Sequence, residues 1–140
     1  MITTFRNILI ASGAYYLSWW LVYPLGFGYR KMIGRIIYEG NFGYAVVMPL
    51  VTKVPYALVA AGVGAAIVLL VESEWPLCWG FLPAVLYFYF EYTGHHWVNP
   101  PTFIDRISQT IAALVPAAAC IGGALVANRN RKTALPAGSQ

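Results

Sequence analysis

Residues 54–71 read VPYALVAAGVGAAIVLLV, eighteen positions without a charge and with one hydroxyl, that of Tyr56. At about 1.5 Å of rise per residue, a helix of that length reaches roughly 27 Å, close to the ~30 Å hydrocarbon core of a bilayer. A helix apolar on every side must be wrapped by protein or dissolved in lipid. The chain has 140 residues and three further apolar stretches, at 8–27, 77–92 and 107–127, so it cannot wrap them all in a polar coat.

Composition gives the same answer. Soluble domains carry about 25% charged residues and roughly 45–50% apolar ones. Here charged residues are 10% and hydrophobic residues 59%, and mean hydropathy is +0.62. Nine basic and five acidic side chains cannot cover a small globule, which exposes much of its surface to water. The charges are also confined to short stretches between the apolar ones, as a hydrocarbon solvent requires. The expected fold is an all-α integral membrane protein with about four transmembrane helices, making one polytopic domain over residues 1–128. Residues 129–140 are expected to form a short, disordered polar tail.

Working outward from 54–71, Lys53 stands between Pro49 and Pro55. A lysine at mid-bilayer costs about 2.5–3.5 kcal/mol, and a position near the headgroups avoids that cost. The second span is therefore expected to be 54–71, with 42–52 a lead-in, re-entrant or interfacial piece. Lys53 is then a candidate for binding an anionic headgroup or for pairing with Glu91. Within the span Ala57, Ala61 and Ala65 recur every fourth residue beside Gly62, and Ala119 and Gly123 do so in the fourth span. Small residues at that spacing let helix backbones approach closely where lipid removes the hydrophobic incentive to associate. These six are the expected packing interface.

The first span, 8–27, is uncharged and its aromatics, Tyr15, Tyr16, Trp19, Trp20 and Tyr23, crowd its second half. Aromatic rings favour the headgroup boundary, and Pro24 with Gly26 and Gly28 is expected to close the helix. In YRKMIGRIIY (29–38), Met32, Ile33, Ile36 and Ile37 fall on one side and Arg30, Lys31 and Arg35 on the other. That pattern predicts a short amphipathic helix lying in the interface, its basic face on the headgroups. The third span, 77–92, is rich in aromatics, and Pro76 suits its first turn.

Chemistry has few places to live. Glu91 and His95 are four apart and share a helix face, with His96 and Asp105 nearby. Carboxylate and imidazole can relay protons or hold a transition metal, so Glu91, His95 and His96 are the candidate metal ligands. The plainer alternative is that all four mark where chain leaves lipid for water. Glu72 and Glu74 read as a solvated turn, and Asn7, Ser12, Ser18, Thr52 and Gln109 as hydrogen-bonding groups between helices. Cys78 and Cys120 lie in apolar spans, where cysteine behaves as a small hydrophobe. No phosphate-cradling loop, nucleophile elbow or haem-attachment motif occurs, so no catalytic residue and no cofactor is implied. The formal net charge of +4 is spread over clusters flanking apolar spans, which fits anionic lipid rather than nucleic acid.

The function expected from these features is non-catalytic. The chain would be a small subunit, assembly factor or interaction partner in the cell (inner) membrane, packed against other membrane subunits or against itself. The alternative is a small homo-oligomeric transporter or channel using Lys53, Glu91 and His95. A membrane-embedded metal or redox enzyme built on Glu91, His95, His96 and Asp105 is a more distant third.

Overall fold

A computed structural model describes residues 2–33, 42–71, 73, 75–93 and 102–134. Within them the chain is all-helical: α1 (Ile2–Ile33), α2 (Phe42–Thr52), α3 (Val54–Leu70), α4 (Pro76–Thr93) and α5 (Phe103–Ala134). Helix α5 is long and apolar enough over Phe103–Thr133 to cross a membrane, and the bent α2–α3 pair passes the same test as one span.

The neighbours fix the directions. Ala11 of α1 packs with Ile67 and Val71 at the end of α3, whereas Trp19 meets Tyr56 near the start of α3. Helix α3 therefore runs antiparallel to α1. Ala11 also lies near Trp79 and Leu82, and Tyr15 near Tyr87, so α4 runs parallel to α1. Cys120 Sγ donates to the Gly80 carbonyl at 3.6 Å, and Ala117 joins Ala84 in one cluster, which turns α5 back against α4. The order is up, down, up, down, with α2 the bent first arm of the second leg.

Several boundaries differ from the sequence expectation. Helix α1 runs through Pro24 to Ile33. The helix does not close at Pro24, and residues 29–33 continue it instead of starting a separate interfacial helix; 34–38 lie outside the described residues. A proline deletes one N–H donor, whereas ending the helix in apolar surroundings would orphan several backbone groups. Helix α5 starts at Phe103 and ends at Ala134, so six residues of the expected tail are helical. Arg129, Arg131 and Lys132 fall in its last turns, where the negative end of the helix dipole favours cations. At the other end, the hydroxyl and backbone N–H of Thr102 donate to Asp105 Oδ2 at 2.6 and 2.9 Å, and Asp105 N–H returns a bond to Thr102 Oγ1 at 3.2 Å. This reciprocal cap starts α5 four residues before Ile107.

The largest interface joins α3 to α5, and two glycines make it possible. A Cβ at Gly64 would overlap the Cys120 carbonyl, and one at Gly123 would overlap the Ala61 backbone. Nothing lies within 4 Å of the corresponding position at Gly62. Gly62 points away from the bundle, and Gly64 occupies the place expected of it. Ala65 packs beside Val68, Ala124 and Ala127. Gly80 brings in α4, since a Cβ there would sit 2.8 Å from Ala124 Cβ and 2.9 Å from Val68 Cγ2.

Candidate functional site

Helices α2 and α3 meet at 54°, and Lys53 is the residue at the bend. Pro55 has no N–H for the Val51 carbonyl and its ring crowds that carbonyl, so the hydrogen-bond ladder cannot pass straight through. Lys53 takes φ −92° and ψ 2°, in the bridge region. Its N–H still reaches the Pro49 carbonyl at 3.1 Å, and its own carbonyl accepts from Ala57 N–H at 2.8 Å. The bend thus keeps most of the backbone paired while turning the Lys53 side chain inward.

There it meets Glu91. Lys53 Nζ and Glu91 Oε2 form an ion pair whose side chains are 4% and 3% exposed. Nζ also sits 4.4 Å from the centre of the Tyr56 ring, a cation–π contact. Removing two ions from water costs several kcal/mol each, repaid when the partners are close and their remaining valences are satisfied.

Below the ion pair the polar groups of the bundle form a collar. Trp19 Nε1 donates to Tyr15 Oη at 2.8 Å. Ser18 Oγ donates to the Tyr15 carbonyl at 2.6 Å and hydrogen-bonds Tyr87 Oη. Tyr15 packs edge-on to Tyr87, with centroids 4.9 Å apart, and stacks on Phe90 at 5.8 Å. Trp19 completes the circuit edge-on to Tyr56. Three elements of the bundle therefore converge here: α1 through Tyr15, Ser18 and Trp19, the α2–α3 bend, and α4 through Tyr87 and Glu91.

No protein-family model, no curated protein and no solved structure matches this chain.

What the site does must therefore be read from its own geometry. The cluster expected around Glu91 does not assemble as a ligand set among the described residues. Glu91 is buried against Lys53, while Asp105 is exposed and held by Thr102. Two hydrogen bonds from Thr102, the hydroxyl's first, keep the Asp105 carboxyl below its ordinary range. Among the described residues no three His, Cys, Asp or Glu side chains come together as a metal-binding group. His95, His96 and Arg35 lie outside the described residues, as do Glu72 and Glu74. Arg30 and Lys31 fall in the last turns of α1. Thr52 Oγ1 donates to the Met48 carbonyl at 2.8 Å, and Asn7 is buried with Oδ1 unpartnered. Both cysteines are free thiols, Cys78 exposed and Cys120 buried.

The Lys53–Glu91 pairing was one of two fates open to Lys53 in the sequence. The collar was not anticipated, because its aromatics also fit a headgroup belt. One signal pointed to it: Gly80, Pro83, Ala84, Tyr87 and Glu91 are all buried and repeat every three or four residues, marking an inward stripe that ends in a carboxylate.

Proposed function

We propose that this chain is a four-span protein of the cell (inner) membrane that serves as a non-catalytic component of a larger membrane assembly. One observation carries the membrane part, namely the distribution of side-chain sizes. Among the described residues, eight of the fifteen buried apolar ones are alanine and none is leucine, phenylalanine or tryptophan. The large apolar side chains point outward instead: Trp20 is 81% exposed, Leu58 71%, Leu70 64% and Val85 63%. Water would expel such a surface. Hydrocarbon favours it, since lipid solvates leucine and leaves close packing of small residues to hold helices together. The up-down-up-down order supports four crossings with both ends of the bundle on one side.

The non-catalytic part rests on how the interior polar groups are used. Lys53 pairs with Glu91, Ser18 with Tyr87 and Trp19 with Tyr15. A carrier or enzyme needs polar groups that turn toward a substrate, whereas these are turned toward one another. Ala61 and Gly123, two of the expected packing residues, meet each other within the chain. Any partner helix must use the outer face, where Gly62 and Gly122 are exposed.

The test is to isolate the tagged chain from its native membranes in mild detergent and determine the mass and composition of the complex. A stoichiometric partner, lost on Gly122→Leu or Gly62→Leu while the variant still folds, supports the proposal. A homo-oligomer with no other component overturns it. That outcome favours the second reading, a small ion-coupled transporter, for which the specific observation is a charged pair at a helix break. Flux into proteoliposomes should then stop in Lys53→Met or Glu91→Gln; unchanged flux removes those residues from any pathway.

A further inference from the structure

At the end of the bundle where α3 stops and α4 begins, a cleft of 380 Å³ opens beside the last turns of α5. We propose that it is a site for the phosphate of an anionic phospholipid headgroup. Its walls carry two cationic side chains, Arg131 and Lys132, with Asn128, Ser73, Trp75 and Cys78. Among the described residues no carboxylate lines it; Glu72 and Glu74, next to Ser73 in the chain, lie outside them.

Three features favour a phosphate over a neutral ligand. First, Arg131 is already fixed. Its Nη1 donates to the Val68 and Val71 carbonyls at 3.1 and 3.2 Å, closing off the end of α3, and its Nε and Nη2 donors have no partner among the described residues. A guanidinium held in place loses little freedom on binding an anion and presents a planar fork suited to phosphate oxygens. Second, Lys132 is exposed one position further on, adding a mobile ammonium at the rim. Third, the cleft lies against the N-terminal end of α4, where the helix dipole favours negative charge. Pro76 has no N–H, and the Trp75 and Cys78 amides already donate to Ser73 Oγ and the Trp75 carbonyl, so the attraction there comes from the dipole and the two cations. Trp75, 70% exposed, stands at the edge as indole rings do at the headgroup level. Basic pockets between transmembrane helices at that depth hold anionic headgroups. Phosphate as a free ion shares this chemistry, so the experiment separates the two sources.

Cys78 supplies the reporter, because it lines the cleft and is exposed while Cys120, the other cysteine, is buried. The full chain in dodecyl maltoside is treated with a maleimide, and the alkylation rate of Cys78 is followed with added dioleoylphosphatidylglycerol, dioleoylphosphatidylcholine or inorganic phosphate. Phosphatidylglycerol should slow the reaction about fivefold, the reduction that ~80% occupancy produces. Phosphatidylcholine should not, and Lys132→Glu should abolish the protection while far-UV circular dichroism stays unchanged. Equal protection by the two lipids, or protection that survives both Lys132→Glu and Asn128→Leu, overturns the proposal. Full protection by inorganic phosphate with none from phosphatidylglycerol overturns the lipid as ligand and assigns the cleft to a free anion.

Discussion

Replacing Lys53 with methionine should destabilise the chain by about 3–5 kcal/mol, the usual cost of leaving one member of a buried ion pair without its partner. The structure explains why the upper half of that range is expected. The Glu91 side chain is 3% exposed, so water cannot take the place of the ammonium, and Lys53 also gives up its contact with Tyr56, worth about 1 kcal/mol. Methionine keeps the unbranched stem, so lost packing adds little. The double variant Lys53→Met/Glu91→Leu removes both charges and should recover to within about 1–2 kcal/mol of the parent, because apolar residues of similar volume can replace a buried pair at little net cost. Reversible unfolding in mixed micelles at rising dodecyl sulfate fraction, read by far-UV circular dichroism, gives all four corners of the cycle. The reasoning is refuted if Lys53→Met costs less than about 1 kcal/mol, or if the double variant loses as much as the two single ones added together; either would mean that the charges are separately hydrated.

Four further outcomes are expected. Gly64→Ala should destabilise by about 1–3 kcal/mol, since its Cβ would meet the Cys120 and Ala124 backbones, which cannot move as a side chain end can. Gly62→Ala, two residues away with open space beside it, should stabilise by about 0.5–1 kcal/mol through helix propensity, and the same unfolding assay ranks the two. Asp105, whose carboxyl is held below its ordinary range, contributes stability above the unfolded carboxylate value that fades as pH falls through the lower folded value; Thr102→Val should flatten that acid-side slope in a pH series of melts. Arg131→Leu should cost about 1–2 kcal/mol by stripping the Val68 and Val71 carbonyls of a charged donor, and hydrogen exchange should rise first at the end of α3.

The sequence alone determined that the chain is helical and where its apolar segments lie, because both follow from local chemistry. A stretch such as 77–92, uncharged up to Glu91 and apolar-dominated, favours pairing its backbone within itself, and α4 covers Pro76–Thr93. It also identified Lys53 as the anomalous charge, since a lysine amid thirty apolar-dominated positions stands out without any structure. Boundaries at Pro24 and near Ile107 were misplaced because a proline or a polar residue states a local preference, and the helix extends past it whenever the alternative leaves more backbone unpaired. Only the tertiary structure decided which glycine faces inward: Gly62 and Gly64 have the same local signature, and the difference is the crossing point with α5. Only the tertiary structure showed that Lys53 is answered by Glu91, thirty-eight positions later, and that Tyr15, Ser18, Trp19 and Tyr87 surround them. Pairing across that separation depends on the rotation and depth at which α1, α3 and α4 pack, which no window of sequence contains.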